Sequence, residues 1–422
     1  MTGVLWLCLG LLACEEPAGT SAPEPGPVEP PDDEPVSLVW AREIHSRDGF
    51  GEGITPQPME GGTVLAFLHN GDEVNRLFHL DTADGSVVDS FVVDAPGFGT
   101  GRLADEVGGT ARAGETYVTF IDRWPFRLDL SDGAVEWLYR ESLRPGTLTA
   151  DGDEFFGTRF TDWDETPAVY QLDAVTGAAI DSFIFTNYPT GRKGGAEGLV
   201  VGLAPDDDSD RVVYFSNGYV TADSAGYARN WLQAMRWSDK SILWRRSLIE
   251  DASADDRTPI LYDDLLIRPD ADTIHAFDVR SGEKRWSYYG WTDSDTPPGG
   301  RHFLYANPVL SDDGLVYFGS SDEEYFCLEA ATGREVWRAG ERGANYGFQL
   351  IGDGMLAVAG SSGSATYLYD RHTGELLAEL PKVSRNGWIW VGVHYDPATR
   401  RVYGYDGARA YCYRLNFEPP GE

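Results

Sequence analysis

Residues 325–337 read Tyr-Phe-Cys-Leu-Glu-Ala-Ala-Thr-Gly-Arg-Glu-Val-Trp, and this stretch decides the fold. An apolar run ends at Glu329, a glycine follows at Gly333, and a tryptophan stands at Trp337. The spacing is that of a hairpin. A carboxylate at the end of the first strand accepts hydrogen bonds from N–H groups of the turn. The glycine takes the left-handed conformation that closes a short loop. A buried Trp on the returning strand removes about 150–250 Å² from water.

The pattern recurs along the chain. Asp129, Gly133 and Trp137 repeat it, as do Asp278, Gly282 and Trp286. Asp81 with Gly85, Asp173 with Gly177, and Asp370 with Gly374 keep the turn without the Trp. A degenerate copy has Arg236, Lys240 and Trp244, and the last copy stops at Tyr411-Cys412-Tyr413-Arg414. The Trp recurs at one place in successive units, which marks packing between neighbours. An upstream hairpin accompanies each unit, for example Leu350-Ile351-Gly352-Asp353-Gly354-Met355-Leu356. Four short strands per unit of forty-odd residues, with no amphipathic helix between units, is the pattern of a propeller. The expected fold is all-β: an eight-bladed β-propeller of four-stranded antiparallel blades. The eighth unit lacks its outer strand. Ser37-Leu38-Val39-Trp40-Ala41-Arg42 supplies it, so that the N-terminal strand closes the last blade and removes a free edge.

Upstream of that strand the composition changes. Val4 to Ala13 is an apolar run, too short to span a bilayer and right for the core of a signal peptide. Leu11-Leu12-Ala13-Cys14 resembles the lipobox of bacterial lipoproteins, which implies cleavage before Cys14 and lipidation of its sulfur. Met1-Thr2-Gly3 lacks the Lys or Arg with which such leaders usually start. Residues 15–35 are rich in Pro and acids and cannot bury enough surface to offset their ordering entropy. They read as an extended tether spanning up to about 60 Å. The expected organisation is a signal peptide over 1–13, a lipidated Cys and tether over 14–35, and one propeller domain over 36–422.

Charge narrows the partners. Lys+Arg 34 against Asp+Glu 68 gives −34. Such a surface repels phosphate backbones and anionic lipid, which excludes nucleic acid and leaves the anchor as the sole membrane contact. Cys327 and Cys412 share one register, two residues before the signature position. Blade seven separates them, so both are expected to be free, buried thiols. No CxxC, HExxH, GxSxG or Ser/His/Asp set is recognisable, and no cofactor or metal is expected. Asp206-Asp207-Asp208-Ser209-Asp210 stands where other units turn. It lacks the Gly and distal Glu of a calcium loop and reads as a solvated turn.

The pattern Asp-x-x-Thr/Ser-Gly-x-x-x-Trp resembles the repeat of quinoprotein alcohol-dehydrogenase-like propellers. Within that group the chain is similar to PQQ-like repeat lipoproteins, including the propeller subunit of the outer-membrane β-barrel assembly machine. The resemblance covers about residues 36–416. It implies an exported, lipid-anchored, monomeric propeller, at the outer membrane rather than the inner or else periplasmic, that binds a protein or peptide partner without catalysis. The dehydrogenases of the group imply PQQ, calcium, an Asp base and adjacent cysteines. No residue here matches those positions. An enzyme using the central channel, quinoprotein-like or otherwise, is the alternative.

Partner contacts are expected on the long b–c and d–a loops, since binding concentrates on long loops. The 63-residue interval from Asp173 to Arg236 exceeds all others, with its excess in 186–197 and 216–231. With the loop 288–306 these segments carry Tyr188, Arg192, Lys193, Tyr219, Trp231, Trp291 and Arg301. Aromatics with cations are enriched at interface hot spots.

Overall fold

A computed structural model describes residues 34–44, 52–53, 56–59, 61–70, 75–93, 111–113, 116–121, 124–141, 143–148, 153–159, 168–185, 194–220, 228–247, 258–270, 273–289, 308–319, 324–340, 345–360, 365–384, 392–406 and 408–421. All regular elements among them are strands. They form eight antiparallel sheets. Sheets 2 to 7, over residues 111–138, 143–184, 194–247, 260–289, 309–339 and 345–381, are four-stranded meanders in chain order, and sheet 1, over 52–92, adds a fifth short pairing at Gln57–Pro58. Sheet 8 takes three strands from the C-terminal end, of which Arg409–Leu415 pairs with Val36–Glu43. The expected partner of the first strand is therefore the observed one.

The hairpin between third and fourth strands has the expected chemistry. In sheet 7 the Asp370 carboxylate accepts from the N–H of His372 and Thr373 at 2.8 and 2.9 Å. The Gly374 N–H donates to the Asp370 carbonyl, and Gly374 has φ 73°. The same arrangement recurs at Asp81, Asp129, Asp173 and Asp278.

Five pairs of sheets are joined through this hairpin. The Trp337 indole donates to the carbonyl of Arg371, one residue past the signature position of the following sheet, at 2.8 Å. A Cβ placed on Gly374 would stand 2.6 Å from the Trp337 ring. Glycine is required there twice, by backbone conformation and by the flat approach of an indole. Trp137, Trp244 and Trp286 dock in the same way on Ala174, Val279 and Ala330. Trp40 docks on Thr82 of sheet 1 at 3.1 Å while its own strand completes sheet 8. The tryptophans are thus inter-sheet packing residues.

Cysteines stand across from two of the indoles. Cys327 is the register partner of Trp337, and Cys412 that of Trp40. Both cysteines are free and buried, as expected from their register. Burial pushes both thiols up to about 12.

Candidate functional site

Sheet 4 departs from its neighbours in length. Its first three strands run Gly194–Ala204, Asp207–Val220 and Ala228–Arg236. Residues 194–197, 216–220 and 228–231 were expected in loops. They instead continue the ladder, with Tyr219 paired to Gly194 and Arg229, and Asn217 paired to Trp231. Much of the long interval before Arg236 is therefore rigid sheet. The β-branched and aromatic run Val212-Val213-Tyr214-Phe215 favours strand. Nothing local marks where the ladder ends.

Of the residues singled out for a partner, Trp231 is the one whose side chain is described. It is half-buried, with the Arg245 guanidinium 5.7 Å from its ring centroid. Arg245 also donates to Gln233 at 2.9 Å. Tyr219 is placed by its backbone alone. Tyr188, Arg192, Lys193, Trp291, Arg301 and Cys14 lie outside the described residues.

Pro205 and Asp206 form the turn while Asp207 to Asp210 begin the second strand, so the turn is shorter than the acidic run expected to form it, and the carboxylates of Asp206, Asp207 and Asp210 have protein partners. Arg236 occupies the signature position that is Asp elsewhere, and it meets Asp206 at 2.6 and 2.7 Å and Asp210 at 3.4 Å. Ser209 donates to Asp207, and Ser238 to Asp210. For Asp210, burial raises the carboxyl pKa, but the Ser238 hydroxyl, nearby N–H groups and Arg236 outweigh it and lower the value.

Between sheets 4 and 5 lies a cleft of about 560 Å³. Its lining includes Arg246, Asp270, His275, Phe277, Glu283 and Lys284. Asp270 and His275 are buried, with the imidazole Nε2 4.0 Å from the carboxylate and Nδ1 2.8 Å from the Ser287 hydroxyl. Arg246 donates to the carbonyls of Gly282 and Ser281 at 2.6 and 2.8 Å, and so ties the two sheets together. Beside the cleft, Arg285 pairs with Asp278. Burial raises the Asp278 carboxyl, yet Arg285, the Ser281 N–H and hydroxyl and the Arg280 N–H together hold it at about 2. Sequence reasoning missed this cleft, because its residues come from different strands and follow no motif.

Cys327 and Cys412 lie in different sheets, each packed with the indole of its register partner. Among the described residues, no three His, Cys, Asp or Glu side chains converge to hold a metal ion.

Comparison with known proteins gives three findings. Residues 270–380 match the family model described as outer membrane protein assembly factor BamB. Over 179 residues the chain is 27% identical to the quinohemoprotein alcohol dehydrogenase of Comamonas testosteroni. That match takes in 40% of this chain and spans 24% of the relative. Among solved structures, BamB from Moraxella catarrhalis superimposes with a TM-score of 0.52 at 15% identity, covering 90% of this chain and 99% of that one. The Comamonas testosteroni dehydrogenase gives 0.61 at 11% identity, covering 93% and 78%. Repeat pattern, partial family match and fold agree: the chain has a β-propeller fold and is similar to PQQ-like repeat propellers.

Proposed function

We propose that this chain is an envelope-tethered, non-catalytic propeller that binds a protein partner. Its eight sheets are read as eight blades, closed into a ring by Val36–Glu43. Residues 1–13 are read as a signal peptide, Cys14 as the lipidated residue, and 15–35 as the tether. The observation that carries the reading is the match of residues 270–380 to an outer membrane assembly factor. The blade chemistry agrees with it. Two buried polar groups tie neighbouring sheets together. His79 Nε2 donates to the Leu130 carbonyl at 2.7 Å, and Asp406 accepts from the N–H groups of Val383 and Ser384 at 3.0 and 2.7 Å.

The test has two parts. A fatty-acid probe should label the wild type and miss Cys14→Ala; equal labelling of both removes the anchor. Affinity capture from membranes under mild detergent should recover a defined envelope protein. Recovery of none removes the scaffold. The 27% identity to a dehydrogenase favours a second reading, an enzyme using the central channel. Titration with PQQ and calcium separates the two. Saturable quenching of tryptophan fluorescence would support the enzyme, and no change the scaffold.

A further inference from the structure

The fourth strand of each sheet is its outermost, and the eight differ in charge. Val87–Val92, Val135–Leu138, Ala179–Ile184 and Leu376–Pro381 each carry one acid and no Lys or Arg. Glu335–Ala339 and Val36–Glu43 each balance one acid with one Arg. Ile242–Ser247 carries Arg245 and Arg246 with no acid, and Lys284–Tyr289 carries Lys284 and Arg285 with no acid. These two strands belong to adjacent sheets, and the cleft lies between those sheets. In a chain of formal charge −34 the pairing is a local reversal of sign.

We propose that the edges Ile242–Ser247 and Lys284–Tyr289, with the cleft between them, dock an acidic, extended segment of a partner polypeptide. This rests on the binding-protein reading above and gives it a place and a chemistry. Both strands end their sheets, so among the described residues no strand pairs with their far edges. An edge strand offers a row of backbone donors and acceptors to an extended chain. Arg245 and Lys284 are exposed, and Arg285 is half-exposed beside Asp278. Arg246 keeps its positive charge while bonding to backbone carbonyls. Phe277 adds an apolar and His275 a polar side chain to the lining. Two carboxylates share the cleft. Asp270 is buried on the imidazole side, and Glu283 lies at the turn end. Arg246 and Lys284 line the cleft with these two, and with Arg245 and Arg285 on the strand edges the cations outnumber the carboxylates of Asp270, Glu283 and Asp278 by four to three. Opposite charge across an interface speeds encounter and selects the partner.

The probe is a fluorescein-labelled polyglutamate peptide, followed by anisotropy with the full chain at low salt. The wild type should bind it. The double variant Arg245→Ser, Lys284→Ser should weaken binding by at least about tenfold, as loss of hot-spot cations does. A control pair, Arg334→Ser with Arg414→Ser, removes the same charge from exposed positions elsewhere and should change binding little. Melting curves check that each variant folds. No binding by the wild type overturns the proposal, as does an equal loss in both double variants. Binding of phosphatidylglycerol vesicles but not of peptide, with the same dependence on Arg245 and Lys284, would assign the surface to lipid and also overturn it. If membrane capture succeeds and the Arg245/Lys284 variant still recovers the partner, this surface fails while the scaffold stands. If capture recovers nothing, the scaffold fails while peptide binding still judges the surface.

Discussion

Between sheets 6 and 7 the indole of Trp337 lies flat against Gly374; between sheets 3 and 4 the equivalent places hold Asp181 and Lys240. The glycine has become the longest-stemmed cation, and it keeps the left-handed backbone at φ 61°. Lys240 Nζ reaches Asp181 at 2.6 Å and sits 3.3 Å from the ring centroid of Trp237. The apolar work has moved across the junction. Trp237 belongs to the receiving sheet and donates to Gln171 of sheet 3 at 2.6 Å. The first junction holds by shape, because an indole needs a surface with no Cβ. The second holds by a partly exposed ion pair over a buried indole. Ion pairs of that exposure are worth about 0–1 kcal/mol, so the second junction leans on Trp237 rather than on its charges. Sheets 1 and 2 are a third case. Asp89 takes the Trp position, His79 supplies the donor, and Phe91 covers Gly133.

The contrast is sharpest where a junction depends on a single strand. Deleting residues 36–44 removes both the fourth strand of sheet 8 and Trp40, and leaves sheet 8 with an unpaired edge. The expected outcome is aggregation, or a melting temperature far below that of the full chain; an unchanged melt would show that this strand closes nothing.

Single substitutions grade the apolar junction. Trp337→Ala should cost about 3–5 kcal/mol in denaturant unfolding, as for other buried aromatics. Gly374→Ala should cost about 2–4 kcal/mol, from left-handed strain together with overpacking against the indole. Because both act on one contact, the double variant should cost less than the sum of the two. Additive losses would separate the glycine from the Trp.

The polar junction should respond least. Lys240→Gly gives up the ion pair and relieves a strained backbone, so stability should change by no more than about 1 kcal/mol. The Lys240 ammonium, against the opposition of burial, holds the Asp181 carboxyl below its usual value. A carboxyl lowered by folding stabilises above its unfolded value and loses that contribution as pH falls through the folded one. Acid unfolding of the wild type should therefore steepen below about pH 4, and Lys240→Gly should blunt that dependence. A large loss at neutral pH would make the two kinds of junction equivalent.

The turn chemistry was legible because it is local. Asp370 and Gly374 lie within one hairpin, and so do the N–H groups they satisfy. The strand period, the number of repeats, the role of Trp40 and the free thiols follow from the same short-range pattern. The partner loops were not legible in their extent: Trp231 belongs to a long ladder rather than to a loop. The cleft of Arg246, His275 and Lys284 was not foreseen.

By itself the sequence determined that hairpins form, where they turn, and that an indole recurs at one place in successive units. Tertiary structure alone decided which indole faces which glycine, that Lys240 answers Asp181, and that the basic strands of sheets 4 and 5 share a cleft. The physical reason is range. A turn is satisfied by groups within about six residues of one another, each with a stereotyped geometry. A junction joins groups dozens of residues apart, through contacts that many side-chain pairs can make equally well, so its chemistry becomes definite only when the sheets are side by side.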